Sequence, residues 1–139
     1  RVVLDTDLFI QNIEKGTPSA LRKALNLYQG RYFEDSSIQE WLMVEDQYFH
    51  QQFLLAADKL ISHYIQDQAF NAALEVTHQV LAIDKLWEPA YRFQMEIFHG
   101  LSRPSMVQKV FRQCQNVFRE ELNSSLSTET LDLYETLIP

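Results

Sequence analysis

From Leu54 the sequence reads LLAADKLISHYIQDQAFNAALEVTHQVLAID, and from Glu88, 34 residues later, it reads EPAYRFQMEIFHGLSRPSMVQKVFRQCQNVF. Apolar and small residues recur in phase between the two stretches: Phe53 with Trp87, Ala57 with Tyr91, Ile61 with Met95, Tyr64 with Phe98, Ala73 with Val107 and Val80 with Cys114. The pattern predicts two antiparallel helices in each stretch. Such a unit cannot bury its apolar faces alone, so neighbouring units are expected to stack.

A spacing of 34 residues is the period of tetratricopeptide repeats. The match is partial, because Leu60 occupies the leucine position of the repeat while Gln94 stands at the equivalent position of the second unit, and Lys85 stands where a proline usually closes a unit. Only about two units fit, so the flanking helices are expected to cap a short array. We predict an all-α, tetratricopeptide-like right-handed array of about seven helices in antiparallel pairs, forming one domain over residues 1–139.

Turn and capping residues divide the chain into helices. The segment Asp5-Thr6-Asp7 supplies candidates for the cap of the first helix. We expect Gly16 and Gly30 to end the first two helices and Asp84 to cap the fifth. Ser36 or Ser37 would cap a long third helix, and Leu131, Tyr134 and either Leu137 or Ile138 would point inward from the last one. The expected helices cover residues 5–15, 19–28, 38–66, 70–83, 85–98, 104–122 and 127–137.

Composition places the chain among globular proteins, since 46% of its residues are hydrophobic and 12% are aromatic. The net charge of −7 argues against DNA or RNA as the direct partner, because binding nucleic acid requires neutralised phosphates. A single cysteine, Cys114, excludes an internal disulfide and is typical of a reducing, cytoplasmic location. No apolar run approaches the ~18 residues of a membrane span. Because the sequence opens on Arg1 rather than methionine, we expect it to be part of a longer polypeptide.

Three stretches together resemble a known family. They are ALNLYQG at residues 24–30 with the following Glu40-Trp41 pair, the long third helix with its repeat and LAID exit at residues 81–84, and the closing residues FREEL, STET and YE between 118 and 135. This combination resembles the bacterial transcriptional activator domain, a tetratricopeptide-like module found in the antibiotic regulatory protein family and in LuxR- and MalT-like regulators. The resemblance extends over nearly the whole chain.

The resemblance implies regulation by protein contact rather than catalysis. In this family the domain follows a DNA-binding domain or accompanies a nucleotide-hydrolysing one, and VVLDTDLF resembles the junction with a winged helix, which makes residues 1–4 a possible stub of that neighbour. The implied partners are proteins: further copies of the chain, or other domains of the same regulator, with DNA bound by a neighbouring domain and no membrane involved. A generic tetratricopeptide scaffold unrelated to transcription remains an alternative.

Two surfaces are candidates for such contacts. The first helix of each pair lines the concave face of a tetratricopeptide array, and phasing from Leu54 places ten residues there: Leu55, Asp58, Lys59, Ser62, Ile65, Gln66, Arg92, Phe93, Glu96 and His99. The second candidate is a basic face formed by Lys109, Arg112 and Arg119, whose spacings of 3 and 7 put them on one side of a helix. For both sets the alternative is an ordinary solvated helix surface.

One pattern suggests an enzyme. Glu75-x-x-His78 and Glu96-x-x-His99 have the spacing used by di-iron carboxylate bundles, which makes a di-metal oxidoreductase the alternative from another functional class. In those bundles the motifs lie on long alternate helices, whereas here they fall on short successive ones, and Glu75 and His78 are phased outward. Cys114 falls at a small-residue position of the repeat and is expected to be a buried filler. We therefore predict no catalytic, cofactor-binding or metal-binding residue.

Overall fold

The computed structural model describes the backbone of residues 5–34 and 43–138, and the side chains of residues 5–30 and 47–138. Its seven helices are α1 Thr6–Lys15, α2 Pro18–Glu34, α3 Met43–Gln66, α4 Phe70–Ile83, α5 Glu88–Gly100, α6 Pro104–Leu122 and α7 Thr128–Leu137. No strand occurs in this described part, so the predicted all-α fold is confirmed. The possible stub at residues 1–4, the serine caps at 36 and 37 and the pair Glu40-Trp41 lie outside the described residues.

The chain divides into two compact units, Arg1–His63 and Tyr64–Pro139, with the division falling inside α3. In the first unit α1 and α2 form an antiparallel pair of neighbouring helices. In the second unit α5 packs against α4, α6 and α7, which makes it the central helix of that unit. None of the described helices has both the length and the apolar character needed to cross a membrane.

Several predicted helix ends are confirmed. Asp5 caps α1, its Oδ1 accepting a hydrogen bond from the Leu8 backbone N–H at 3.0 Å, and Gly16 ends that helix in the left-handed conformation with a φ of 69°. The bounds of α4 and α6 agree with the predicted ranges. The last helix starts where the sequence predicted, and Ser127 caps it by accepting a hydrogen bond from the Thr130 backbone N–H.

The prediction that Gly30 ends α2 is wrong. The helix continues through Gly30 to Glu34, so residues 31–34, predicted as a linker, are also helical. Glycine costs a helix interior about 1 kcal/mol relative to alanine, which lowers stability but leaves the backbone hydrogen bonds intact. Unlike Gly16, Gly30 does not adopt a positive φ.

The prediction that Asp84 caps α5 is wrong. Its backbone N–H donates to the Val80 carbonyl oxygen at 2.8 Å and so closes α4, while its Oδ1 accepts from the Leu86 N–H at 3.1 Å within the turn. The next helix begins at Glu88, with Trp87 at its N-cap. Asp84 therefore stabilises the α4–α5 turn, a role that short acidic side chains commonly have.

Leu131 was predicted to face inward and is instead 39% exposed. The inward face of α7 passes through Thr130, which is fully buried, and Tyr134, whose ring stacks on Phe111 at 3.8 Å between centroids. Because successive residues of a helix are about 100° apart, burial of Thr130 turns its neighbour Leu131 toward solvent. The predicted inward position of Tyr134 is confirmed by this stacking.

The core of the first unit is built around aromatic rings. Tyr28 stacks on Phe53 with centroids 4.5 Å apart and on Phe9 at 5.9 Å, and Phe9 in turn meets Phe49 edge-on at 6.0 Å. The Tyr28 hydroxyl lies 3.0 Å from His50 Nδ1, so its polar end is paired although its ring is buried. These rings join α1, α2 and α3 within the unit.

The core of the second unit lies between α5, α6 and the segment leading into α7. Its buried members are Tyr91, Met95, Phe98, Val107, Val110, Phe111, Cys114, Phe118 and Leu126. The Tyr91 hydroxyl donates to the Lys85 carbonyl oxygen at 2.9 Å and so ties the start of α5 to the preceding turn. Burial raises the pKa of Tyr91 to about 12, with smaller contributions from the charges of Cys114 and Asp84. This hydroxyl therefore remains a donor at neutral pH.

A buried polar pair explains the departure of Gln94 from the leucine of the repeat. Gln94 is 4% exposed, and its Nε2 donates to Thr77 Oγ1 on α4 at 2.9 Å. Thr77 is fully buried and donates to the Leu74 carbonyl oxygen at 2.6 Å. A leucine at position 94 would leave the threonine without this partner, so the two polar residues depend on each other.

We expect Thr77→Val to lower the free energy of unfolding by about 1–2 kcal/mol, because it leaves the Gln94 amide buried and unpaired. Gln94→Leu should cost less, since Thr77 keeps its bond to the Leu74 carbonyl. The double variant should recover most of the loss. Urea unfolding of the four proteins measures the coupling, and additive losses would contradict the pairing.

Two glycines make a matched pair for a second prediction. A Cβ at Gly100, the last residue of α5, would lie 2.6 Å from the Phe70 ring, so Gly100→Ala should destabilise the protein by about 1–2 kcal/mol. At Gly30 a Cβ would meet no atom within 4 Å, and Gly30→Ala should stabilise the protein by about 0.5–1 kcal/mol. Thermal unfolding of both variants tests whether their melting temperatures shift in opposite directions. Melting temperatures that shift in the same direction would contradict the prediction.

Candidate interaction surfaces

The predicted contact residues on α3 are divided between the two units. In the first unit Leu55 is 47% exposed, Lys59 and Ser62 follow it at helical spacing and are also exposed, and Asp58 beside them is half-buried. We call Leu55, Lys59 and Ser62 the α3 stripe. It combines a large apolar side chain with a charged and a neutral polar one, a mixture typical of protein contact surfaces. In the second unit Gln66 is exposed and Ile65 is half-buried.

On α5 the predicted residues separate into two kinds. Glu96 and His99 are exposed one turn apart, and we call them the α5 stripe. Phe93 is half-buried, and the centroid of its ring lies 6.4 Å from that of the Trp87 ring. Removal from water raises the pKa of the Glu96 carboxyl, an effect that Arg92 offsets in part.

Arg92, predicted to line the groove, bonds to α7. Its Nη1 donates to Thr130 Oγ1 at 3.0 Å and lies 3.5 Å from Glu88 Oε2, and its Nη2 lies 3.5 Å from Glu129 Oε2. The donors of the guanidinium are therefore directed at the α5–α7 contact. Replacing Arg92 would disturb the packing of α7 as well as any partner contact.

Glu88, in the first turn of α5, is the centre of this polar cluster. Its Oε2 accepts hydrogen bonds from the Ser127 backbone N–H at 3.1 Å and from the hydroxyls of Ser127 and Thr130. Burial raises the pKa of Glu88, but the hydrogen bonds from Ser127 and Thr130 and the charge of Arg92 outweigh it, so the net pKa is lowered. We call Glu88, Arg92, Ser127 and Thr130 the α7 clamp.

Glu88 was not predicted from the sequence. The segment Ser127-Thr128-Glu129-Thr130 could have indicated a carboxylate partner for α7, but it was interpreted only as a helix start and as part of the family resemblance. At a helix N-terminus, a cap hydroxyl accepts a hydrogen bond from the backbone N–H three residues later. The O–H groups of both hydroxyl side chains can then donate to an acceptor on another helix. An acid in the first turn of a preceding helix is a natural candidate for that acceptor.

The three residues of the predicted basic face are exposed on α6. Lys109 and Arg112 border an open concavity of about 710 Å³ on the outward side of the helix, together with Gln113, Asn116 and Glu120. Arg119 bonds through Nη2 to Asn116 Oδ1 at 2.7 Å. The structure therefore groups the three cations along one exposed face, accompanied by amides and one acid.

A further groove, which sequence reasoning did not identify, lies between α1 and α2. It has a volume of about 480 Å³ and is lined by Leu8, Asn12, Lys15, Lys23, Asn26 and Leu27. Leu8 is 44% exposed and Leu27 is half-buried, while both lysines are exposed. We call this the α1–α2 groove.

The two Glu-x-x-His motifs do not converge on a metal site in the described part of the chain. Glu75 and His78 are exposed on α4, as their phasing predicted, and Glu96 and His99 are exposed on α5. No group of three or more potential metal ligands occurs among the residues that the structure describes.

Cys114 is fully buried in the core of the second unit, in agreement with the prediction of a buried filler. Burial raises the pKa of its thiol to about 12; the charge of Glu88 acts in the same direction, and that of Arg92 opposes it. The thiol therefore stays protonated at neutral pH, which is the unreactive form.

Comparison with known proteins gives one match. The family model described as bacterial transcriptional activator domain matches residues 11–138, nearly the whole chain, and confirms the family that the sequence motifs indicated. No curated protein matches the chain, and no solved structure matches it.

The α7 clamp leads to a pH-dependent prediction. The lowered pKa of Glu88 means that its ionised form stabilises the fold fully above the ordinary value of 4.5, and that this stabilisation is lost as the pH falls through the folded-state pKa. Glu88→Gln should lower the free energy of unfolding by about 1–2 kcal/mol at pH 7. The difference in unfolding free energy between this variant and the wild type should shrink as the pH falls below 4.5.

Urea unfolding at several pH values measures this difference. Glu75→Gln is the matched control, because Glu75 is exposed on α4 and should show little effect at any pH. A Glu88→Gln deficit that stays constant down to pH 3 would show that the charge of Glu88 does not stabilise the clamp.

Proposed function

Because this chain belongs to the bacterial transcriptional activator domain family, we propose that it is the regulatory interaction domain of a transcription factor. It binds other protein segments: further copies of the chain, or other domains of the same regulator. It performs no catalysis. The family match over residues 11–138 is the observation on which this proposal depends.

The exposed stripes support a contact role. Leu55 in the α3 stripe leaves 47% of its surface in water, which makes it an apolar anchor for a partner, and Lys59 beside it supplies a charge. In the α5 stripe, Glu96 and His99 add an acid and an imidazole. These side chains differ in chemistry and are exposed, whereas the guanidinium of Arg92 is bonded to α7, so a partner can contact them without displacing that helix.

The charge of the chain favours a protein partner over DNA. With a net charge of −7 the chain as a whole repels a phosphate backbone, so we assign DNA binding to a neighbouring domain of the regulator. A regulator of bacterial DNA acts in the cytoplasm, so we assign the domain to that compartment. The basic face of α6 is then available to an acidic protein surface, or to DNA already held by the neighbouring domain.

The chemistry of the titratable groups supports a non-catalytic role. The thiol of Cys114 is buried and protonated, and so is a poor nucleophile. Glu75 and His78 point into solvent from α4, whereas di-metal carboxylate bundles project their motifs inward from facing helices.

Reporter transcription driven by the regulator that contains this chain tests the proposal. Glu96→Lys combined with His99→Ser changes the α5 stripe and leaves the four residues of the α7 clamp in place. We expect transcription to fall roughly tenfold, because surface contacts to a partner are lost, while DNA binding in a mobility-shift assay stays unchanged.

The matched control is Glu75→Lys combined with His78→Ser, which makes the same two changes at the same spacing on the outward face of α4. It should leave transcription near the wild-type level. Thermal unfolding of both variants checks that each remains folded. Normal activation by the α5 variant would refute a contact role for the α5 stripe.

A further inference from the structure

We propose that copies of this chain associate head to tail, with the outward face of α7 of one copy docking into the α1–α2 groove of the next. The occupant of the groove is thus a second copy of the chain. This inference rests on the proposed function, since it specifies how the domain contacts its own kind.

The α1–α2 groove has an apolar opening with two cations. Leu8 and Lys15 lie on α1 and Lys23 and Leu27 on α2, and the groove between them is large enough, at about 480 Å³, to accept an aliphatic side chain. The amide of Asn12, 7% exposed, already donates through Nδ2 to the Leu8 carbonyl oxygen at 3.0 Å. The partly exposed leucines and the lysine ammonium groups are what the groove offers to a ligand.

The charges of the groove select an acidic ligand. Neither Lys15 nor Lys23 forms an ion pair with any residue in the described part of the chain. The best-matched occupant is an apolar side chain flanked by carboxylates. Such charge complementarity determines which surfaces meet and in what register.

The outward face of α7 has this composition. Leu131 is 39% exposed, and Asp132 and Glu135 follow it at one and four residues, both exposed. Within the described residues neither acid forms an ion pair. The α7 clamp and Tyr134 fix the opposite face, so Leu131 and the two acids are held outward on a rigid helix.

The two surfaces complement each other in apolar character and in charge. The helix α1 exposes Leu8 with cations beside it, and the helix α7 exposes Leu131 with acids beside it. Two different surfaces that fit each other form a heterologous contact, which links copies in series.

Analytical ultracentrifugation of the purified chain tests the inference. The contact contains Leu131 against the two leucines of the groove, together with two exposed ion pairs. It should therefore be weak and is best followed from about 10 μM to about 1 mM. We expect the weight-average mass of the wild type to rise with concentration, and to rise less at high salt.

Charge reversal on either side should break the contact. Lys15→Glu with Lys23→Glu alters only the groove, and Asp132→Lys with Glu135→Lys alters only α7; each should weaken association roughly tenfold or more. An equimolar mixture of the two variants should associate again, because each variant retains the wild-type surface that the other has lost, and the two altered surfaces also match.

The control variant is Asp67→Lys with Glu75→Lys, which makes the same charge change at exposed sites away from both surfaces and should associate like the wild type. Circular dichroism and thermal unfolding confirm that each variant is folded. A wild type that stays monomeric at the highest concentration, charge-reversed variants that associate like the control, or a mixture that does not associate would each overturn the inference. The proposed function is tested separately by transcription from the α5-stripe variant, so either can fail without the other.

Discussion

The carboxylate of Glu88 is the centre of the polar contacts that hold α7 on α5. Helix pairs of this length cannot bury their own apolar faces, so α5 and α6 need a covering helix, and α7 supplies it by packing on both. With only ten residues, α7 is too short to be stable alone. Its first turn is fixed by bonds to Glu88 and Arg92, and its last turns are fixed by Tyr134 stacking on Phe111. Polar bonds at one end and ring stacking at the other thus set the rotation of the helix about its axis.

This arrangement gives a structural meaning to the closing motif of the family. Ser127 and Thr130 bond inward to Glu88, and Glu129 approaches Arg92, so three of the four residues in Ser127-Thr128-Glu129-Thr130 serve to dock α7. A motif that makes a sequence recognisable need not be the part that binds partners. Contact with other proteins is then left to side chains that the fold does not use, such as those of the α3 and α5 stripes.

The sequence predicted the fold well because its signals are local and periodic. The repeat from Leu54 and Glu88 placed α4 and α6, and Asp5, Gly16 and Ser127 marked helix ends that the structure confirms. The errors arise where a choice depends on distant atoms or small energy differences. Gly30 permits a helix end but does not impose one, and Asp84 serves equally well as the cap of a helix or of a turn. The α1–α2 groove could not be predicted, because it exists only where two helices meet. The hydroxyls of Ser127 and Thr130 indicated an acceptor, but only the packing of α7 on α5 identifies Glu88 as that acceptor.

The inward face of α7 holds Thr130 where the apolar pattern predicted Leu131, and the α7 clamp explains this difference. A helix selected for burial alone would place leucine inward and threonine outward, as the apolar pattern predicted. The structure does the reverse, because the buried hydroxyl of Thr130 is bonded to Glu88 and Arg92 and so incurs no penalty for lacking water. The polar clamp therefore displaces a leucine to the surface, beside Asp132 and Glu135. An apolar side chain held outward by the fold itself, with two acids beside it, is a surface suited to binding another protein.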